Sequence, residues 1–150
     1  MRIAGPPPFA LVLEAQTYLD PKLQERLYDY CIQAMRTHDL PVCVAVLFLR
    51  HEACRREARA GEMAVWRSPP VGDQSALTLV YRPVRLWELD GRQALRWSPS
   101  ELAPLVALMD HGDTPPEQIV QASLARALAV PGAQGRQHVY ACTAALAALR

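Results

Sequence analysis

A carboxylate and a carboxamide stand two residues apart at the end of an almost wholly apolar segment, Phe9-Ala10-Leu11-Val12-Leu13-Glu14-Ala15-Gln16. In an extended chain alternate side chains point to opposite faces. Glu14 and Gln16 therefore share one face, while Leu11, Leu13 and Ala15 share the other. An acid placed late in an apolar strand is costly unless it is paired, hydrogen-bonded or bound to a metal. One chemistry that fits is a hard-cation site. Glu14 would give an oxygen to Mg²⁺, the carbonyl of Ala15 a second, and Gln16 would orient an attacking water. The plain alternative is that both side chains reach solvent where the strand leaves its sheet.

Arg26 and Tyr30 are four residues apart, which puts them on one face of a helix. They could contact a phosphate or anchor Glu14; an arginine lying over a buried tyrosine is the simpler reading. Asp110-His111-Gly112-Asp113 has the residue types of a metal loop but reads first as an acidic linker between helices. Arg50, Arg55, Arg56, Arg59, Arg82 and Arg85 either line a phosphate-contacting surface or are scattered solvated cations. The other histidines lack ligand spacing, and neither a Gly-rich phosphate loop nor a G-x-S-x-G elbow occurs.

The elements that must hold these residues can be read in order. Gly5-Pro6-Pro7-Pro8 is a turn into the first strand. Asp20-Pro21 then supplies an N-cap and a first helical residue. Leu23, Leu27, Tyr30, Cys31 and Ala34 recur at helical spacing, and the helix stops at His38-Asp39-Leu40-Pro41, with Asp39 left-handed. Residues 42–49 are apolar without alternation, which predicts a strand buried on both faces. Strand, helix and strand make a βαβ unit with a parallel pair and a right-handed crossover.

Residues 50–57 are charged and read as loop. Segments 63–66 and 76–84 flank Ser68-Pro69-Pro70-Val71-Gly72-Asp73, which predicts an antiparallel hairpin whose second strand runs on to Leu89. Pro83 makes that strand an edge, or bends it. Ser98-Pro99-Ser100-Glu101 is a capping-box pattern opening a helix with Leu102, Leu105, Val106 and Met109 inward. Thr114-Pro115-Pro116-Glu117 opens a second helix, running to Val130. Pro131-Gly132 breaks it, and residues 137–149 form an alanine-rich closing helix.

With 150 residues, 51% of them apolar and 21% charged, the chain fits one soluble globular domain. A net charge of +1 excludes a global basic field but not a local basic groove. Cys31, Cys43, Cys54 and Cys142 form no C-x-x-C pair and are expected as reduced, mostly buried thiols of a cytoplasmic protein. Glu14 interrupts the N-terminal apolar run, which is expected to be neither a signal peptide nor a membrane span.

Several segments taken together resemble a known group. Leu13-Glu14-Ala15-Gln16, Arg26-Leu27 with Tyr30, and His38-Asp39-Leu40-Pro41-Val42 leading into a Val-rich strand resemble the recombination-promoting nuclease/putative transposase group. That group belongs to the PD-(D/E)xK, or restriction-endonuclease-like, superfamily. Residues 81–89 resemble its later strand, and residues 102–115 its helical tail. The likeness runs from Ile3 to Val130.

The resemblance implies a restriction-endonuclease-like α/β fold, a mixed sheet core of βαβ unit plus hairpin with C-terminal helices. It also implies a Mg²⁺-dependent DNA endonuclease. Glu14 would match the metal-binding acid, Gln16 would stand where a Lys is usual, and Arg26 and Tyr30 match helix positions of the group. On this reading residues 1–110 are the nuclease-like core and 111–150 a helical extension packed on it. Two departures stand out. Asp39 replaces a usual Gly, and the group's first acid, an Asp on a preceding strand, has no counterpart because Glu14 is the only acid before Asp20. The first helix and Asp-bearing strand are thus expected to be missing, which weakens Mg²⁺ binding. The alternative is an inactive DNA-binding or protein-interaction module, and the exposed sheet edge beside Glu14 then invites a homodimer.

Overall fold

The computed structural model describes residues 7–54, 63–67, 70–71, 74–75, 78–97 and 99–148. The expectations for Gly5 and Pro6, most of the 68–73 turn, the Ser98 cap, and Arg55, Arg56 and Arg59 lie outside them. The architecture is mixed α/β, and the chain divides into two compact units, Met1–Val84 and Arg85–Arg150.

The first unit is built on a sheet of order β1-β2-β6-β3. Strand β1 (Ala10–Gln16) and strand β2 (Val42–Phe48) are parallel, in register from Ala10 opposite Val42 to Gln16 opposite Phe48. Helix α1 (Leu23–His38) connects them, as the strand–helix–strand pattern predicts. It lies on the face of Glu14, since Arg26 of α1 bonds that carboxylate. Leu23 and Leu27 of α1 are buried with Val46 and Phe48 of β2. Each such burial contributes about 2 kcal/mol. Asp39 ends the helix in the left-handed conformation (φ 49°), its N–H bonded to Met35 O.

The local structure corrects several expectations. Helix α1 begins at Leu23, so Asp20 is not its N-cap; its carboxylate instead accepts the Lys22 N–H at 2.8 Å. Strand β2 is not buried on both faces along its length: Val46 and Phe48 are buried, Val44, Ala45 and Leu47 are half-buried, and Cys43 is exposed. Strand β3 (Ala64–Arg67) pairs antiparallel with β6 (Thr78–Arg85), with the short strands β4 (Pro70–Val71) and β5 (Gln74–Ser75) paired between them. Strand β6 is central, so Pro83 does not mark an edge. Strand β3 pairs only as far as Tyr81, two residues earlier, so the missing N–H costs no bond to β3. After Arg85 the chain turns into a 3₁₀ turn (Leu86–Glu88) instead of continuing extended to Leu89.

The second unit holds helices α2 (Gly91–Trp97), α3 (Ala103–Val106), α4 (Pro116–Ala127) and α5 (Ala133–Ala147). Ala103, Ala127, Val130 and Val139 form its buried cluster, where two alanines let helices approach closely. The helix expected from residue 98 is a 3₁₀ turn followed by the single turn of α3, and Leu102 is exposed. Thr114 does not cap α4; its hydroxyl donates to His111 O at 2.9 Å. Helix α5 starts four residues before the expected 137, as Gly132 at φ 80° reverses the chain.

Helix α2 was not expected, although Asp90-Gly91-Arg92-Gln93 has capping-box spacing. The Gln93 N–H donates to Asp90 Oδ1 at 3.0 Å. That bond above all, with further help from the Arg92 amide and the charges of Arg92 and His111, holds the Asp90 carboxyl below its usual range. A depressed carboxyl stabilises the fold above its unfolded pKa, and the contribution is lost as pH falls through the folded value. The second unit is therefore expected to lose stability on acidification below the normal carboxylate range. Asp90→Asn should flatten that acid limb in thermal melts taken across pH.

Candidate functional site

The period-two alternation of β1 brings Glu14 and Gln16 together on the α1 side of the sheet, at the carboxyl end of a parallel strand. Gln16 Nε2 donates to Glu14 Oε1 at 3.0 Å. Gln16 is 4% exposed, so its amide is ordered by this bond and by packing, and it does not simply reach solvent. The first turn of α1 then places Arg26 above the pair. Its Nη2 donates to the same Glu14 oxygen at 2.7 Å, and its Nη1 donates to Asp20 Oδ2.

The result is one guanidinium held between two carboxylates. Asp20 is the member that sequence reasoning missed as a site residue. Its signal was a buried-side acid preceding a helix, which local rules assign to capping. Here both of its oxygens are engaged, one by the Lys22 amide and one by Arg26. The Glu14 hydrogen bond is the main cause that raises the Arg26 pKa; desolvation opposes it, and Asp20 adds to the rise. The cluster keeps a net charge of −1 when both acids are ionised.

Tyr30 shares the Arg26 helix face but is 39% exposed and takes no part in these bonds. The Ala15 carbonyl is turned in the plane of the sheet to the side of β1 away from β2. The Ala10 N–H and the Gln16 carbonyl, which bond Pro41 and Leu49, show that the even-numbered residues face β2. Gln24, two residues before Arg26, is buried with its Nε2 unpartnered, a second polar group no sequence pattern flagged.

The fit to Mg²⁺ can be tested on these donors. Mg²⁺ takes one or two protein carboxylates and fills the remaining positions with water. Glu14 accepts both its bonds on Oε1, which leaves Oε2 for a cation. The residues thus fit a sparse, single-carboxylate site, with the Arg26 charge lowering its affinity. Among the described residues no group of three or more His, Cys, Asp or Glu is gathered as a metal cage.

The other sequence candidates separate. His111 is 1% exposed, and its Nε2 donates to Val106 O at 2.8 Å, while Asp110 Oδ1 accepts the Gly112 N–H; this loop is a packed corner. Arg50 pairs with Glu52 at 3.4 Å, Arg85 pairs with Glu88 at 2.7 Å, and Arg82 is exposed. Among the described residues no helix is long and apolar enough to cross a membrane. No protein-family model, curated protein or solved structure matches the chain.

Proposed function

We propose that the chain is a restriction-endonuclease-like module that hydrolyses DNA phosphodiester bonds with Mg²⁺. The observation that carries this reading is the Glu14–Gln16 pair, hydrogen-bonded at the carboxyl end of a strand in a parallel βαβ unit. Ligands of open α/β sheets collect at the carboxyl ends of strands. Bound Mg²⁺ would polarise the phosphate and lower the pKa of a water. Glu14 would hold it through the free Oε2, and the Ala15 carbonyl lies on the neighbouring side. Gln16, its Nε2 committed to Glu14, keeps an amide oxygen to orient the water. Arg26 positions Glu14.

Purified chain incubated with supercoiled DNA should nick it only with divalent cation, and Glu14→Gln should reduce nicking more than about a hundredfold. Absence of nicking by the wild-type chain at millimolar Mg²⁺, or nicking that survives Glu14→Gln, would sink the catalytic reading.

A second reading is favoured by one observation, the guanidinium that already pairs with both carboxylates. On it the cluster is structural and the chain is a DNA-binding or protein-interaction module. DNA affinity that falls with salt and ignores both Mg²⁺ and Glu14→Gln would support that outcome.

A further inference from the structure

We propose that Asp20 is a positioning residue for the Glu14 cation site: by holding one arm of the Arg26 guanidinium, it keeps Glu14 Oε2 open to Mg²⁺. The role rests on Glu14 being the carboxylate that takes the cation.

An arginine left alone with a carboxylate pairs as a fork, two parallel N–H arms on two oxygens, and that fork is the strong form of the contact. Arg26 does not adopt it. Its Nη2 donates to Glu14 Oε1 at 2.7 Å, while its Nη1 turns aside to Asp20 Oδ2. Gln16 Nε2 donates to the same Glu14 oxygen at 3.0 Å. Both bonds to Glu14 thus fall on Oε1, and among the described residues no hydrogen bond reaches Oε2.

Asp20 can hold the arm because other bonds fix it in place. Its Oδ1 accepts the Lys22 N–H at 2.8 Å, its carbonyl accepts the Leu23 N–H at 3.4 Å, and the residue is 8% exposed. These bonds belong to the turn that opens α1. Arg26 lies in the first turn of that helix, its own N–H on Lys22 O at 3.1 Å. Anchor and arm therefore come from one stretch of chain, whereas Glu14 comes from β1. Without the Asp20 carboxylate, Nη1 is released to close on Oε2. A cation would then have to displace a charged hydrogen bond, which lowers its affinity by about tenfold or more. Asp20 needs no contact with the cation for this. Its charge adds a separate, weaker pull that does not depend on Arg26.

The full chain carrying Asp20→Asn tests the role. Asparagine keeps an oxygen for the Lys22 N–H and places an NH₂ where Oδ2 accepted Arg26. A crystal structure of the cation-free variant should show Nη1 and Nη2 each on one oxygen of Glu14. Asp20→Ser, whose single hydroxyl cannot serve both Lys22 and Arg26, should show the same and replaces the asparagine variant if that fails to fold. Thermal melts across Mg²⁺ concentrations then read cation affinity without an activity assay. Loss of the Asp20 charge weakens binding in any background, but loss of the held arm weakens it only where Arg26 is present. Asp20→Asn should therefore reduce affinity by a factor about ten times larger in the wild-type chain than in Arg26→Ala. A folded variant in which Arg26 leaves Oε2 uncovered would overturn the proposal. So would equal losses in the two backgrounds, which is the result for a direct ligand or for a purely structural acid. Either result would leave the Glu14 reading intact. A chain that ignores Mg²⁺ both as wild type and as Arg26→Ala would instead remove the cation from Glu14, and the proposal with it.

Discussion

Gly91→Ala should destabilise the second unit by about 3 kcal/mol, a large response to a single methyl group. A Cβ at Gly91 would stand 2.2 Å from His111 Nε2, 2.4 Å from Cε1 and 2.7 Å from Cδ2, deep inside contact distance. The imidazole cannot swing aside cheaply. It is 1% exposed, and its Nε2–H is committed to Val106 O at 2.8 Å, so moving it strands a buried carbonyl. Nor can the backbone easily retreat. Gly91 N–H donates to Asp110 O at 2.6 Å and Asp110 N–H to Leu89 O at 2.9 Å, clamping the start of α2 to the segment bearing His111. Urea denaturation of Gly91→Ala, His111→Ala and the double variant gives the cycle that isolates the clash. Removing the ring should recover part of the glycine cost, so the two effects should be strongly non-additive. Gly135→Ala is the control, since its Cβ meets only Val130 Cγ1 at 3.3 Å. Equal losses at the two glycines would remove the argument.

Arg26→Ala should cost the first unit about 2 kcal/mol. The figure lies between the worth of a solvated pair and that of a buried one, which is where the side-chain exposures of 35% for Arg26, 22% for Glu14 and 9% for Asp20 place the cluster. The loss comes chiefly from Asp20 and Glu14, left half-buried as like charges without the cation between them. Neutralising one of them should therefore restore stability, and Arg26→Ala/Asp20→Asn is expected to melt above Arg26→Ala. The same background reads the metal site without any activity assay. Mg²⁺ should raise the melting temperature of Arg26→Ala and leave Arg26→Ala/Glu14→Gln unmoved. No shift in either variant would mean that Glu14 holds no cation even when its competitor is gone.

Much of the candidate site could be read from local order, and its missing member shows where such reading stops. Glu14 and Gln16 share a face because β1 is extended, and the hydrogen bond between them follows from that spacing. Arg26 lies one turn into a helix whose apolar spacing was plain. Asp20 was also visible, but as a cap, because an acid before a proline and an apolar run fits that role by local rules. What makes it an ion-pair partner is that the returning chain sets Arg26 over the end of β1. Tyr30 errs in the other direction: its spacing matched the inward face, yet it lies toward solvent. Pro83 argued for an edge or a bend, yet β6 lies between β2 and β3, with β3 paired to it only as far as Tyr81. His111 carried a metal-loop signature and instead fills the space left by a glycine twenty residues earlier in the chain.

By itself the sequence determined the order of strand, helix, strand and hairpin, the left-handed stop at Asp39, and the shared face of Glu14 and Gln16. These depend on backbone sterics and on side-chain periods of 2 and 3.6, which act within a few residues. Only the tertiary structure decided that Arg26 joins Glu14 to Asp20, that Gln16 is buried while Cys43 is exposed, and that β1 is an outer strand of the sheet among the described residues. Ion pairing, burial and edge position are relations between residues distant in the chain. Their free energies exist only once packing has brought the partners together, so no local pattern could have carried them.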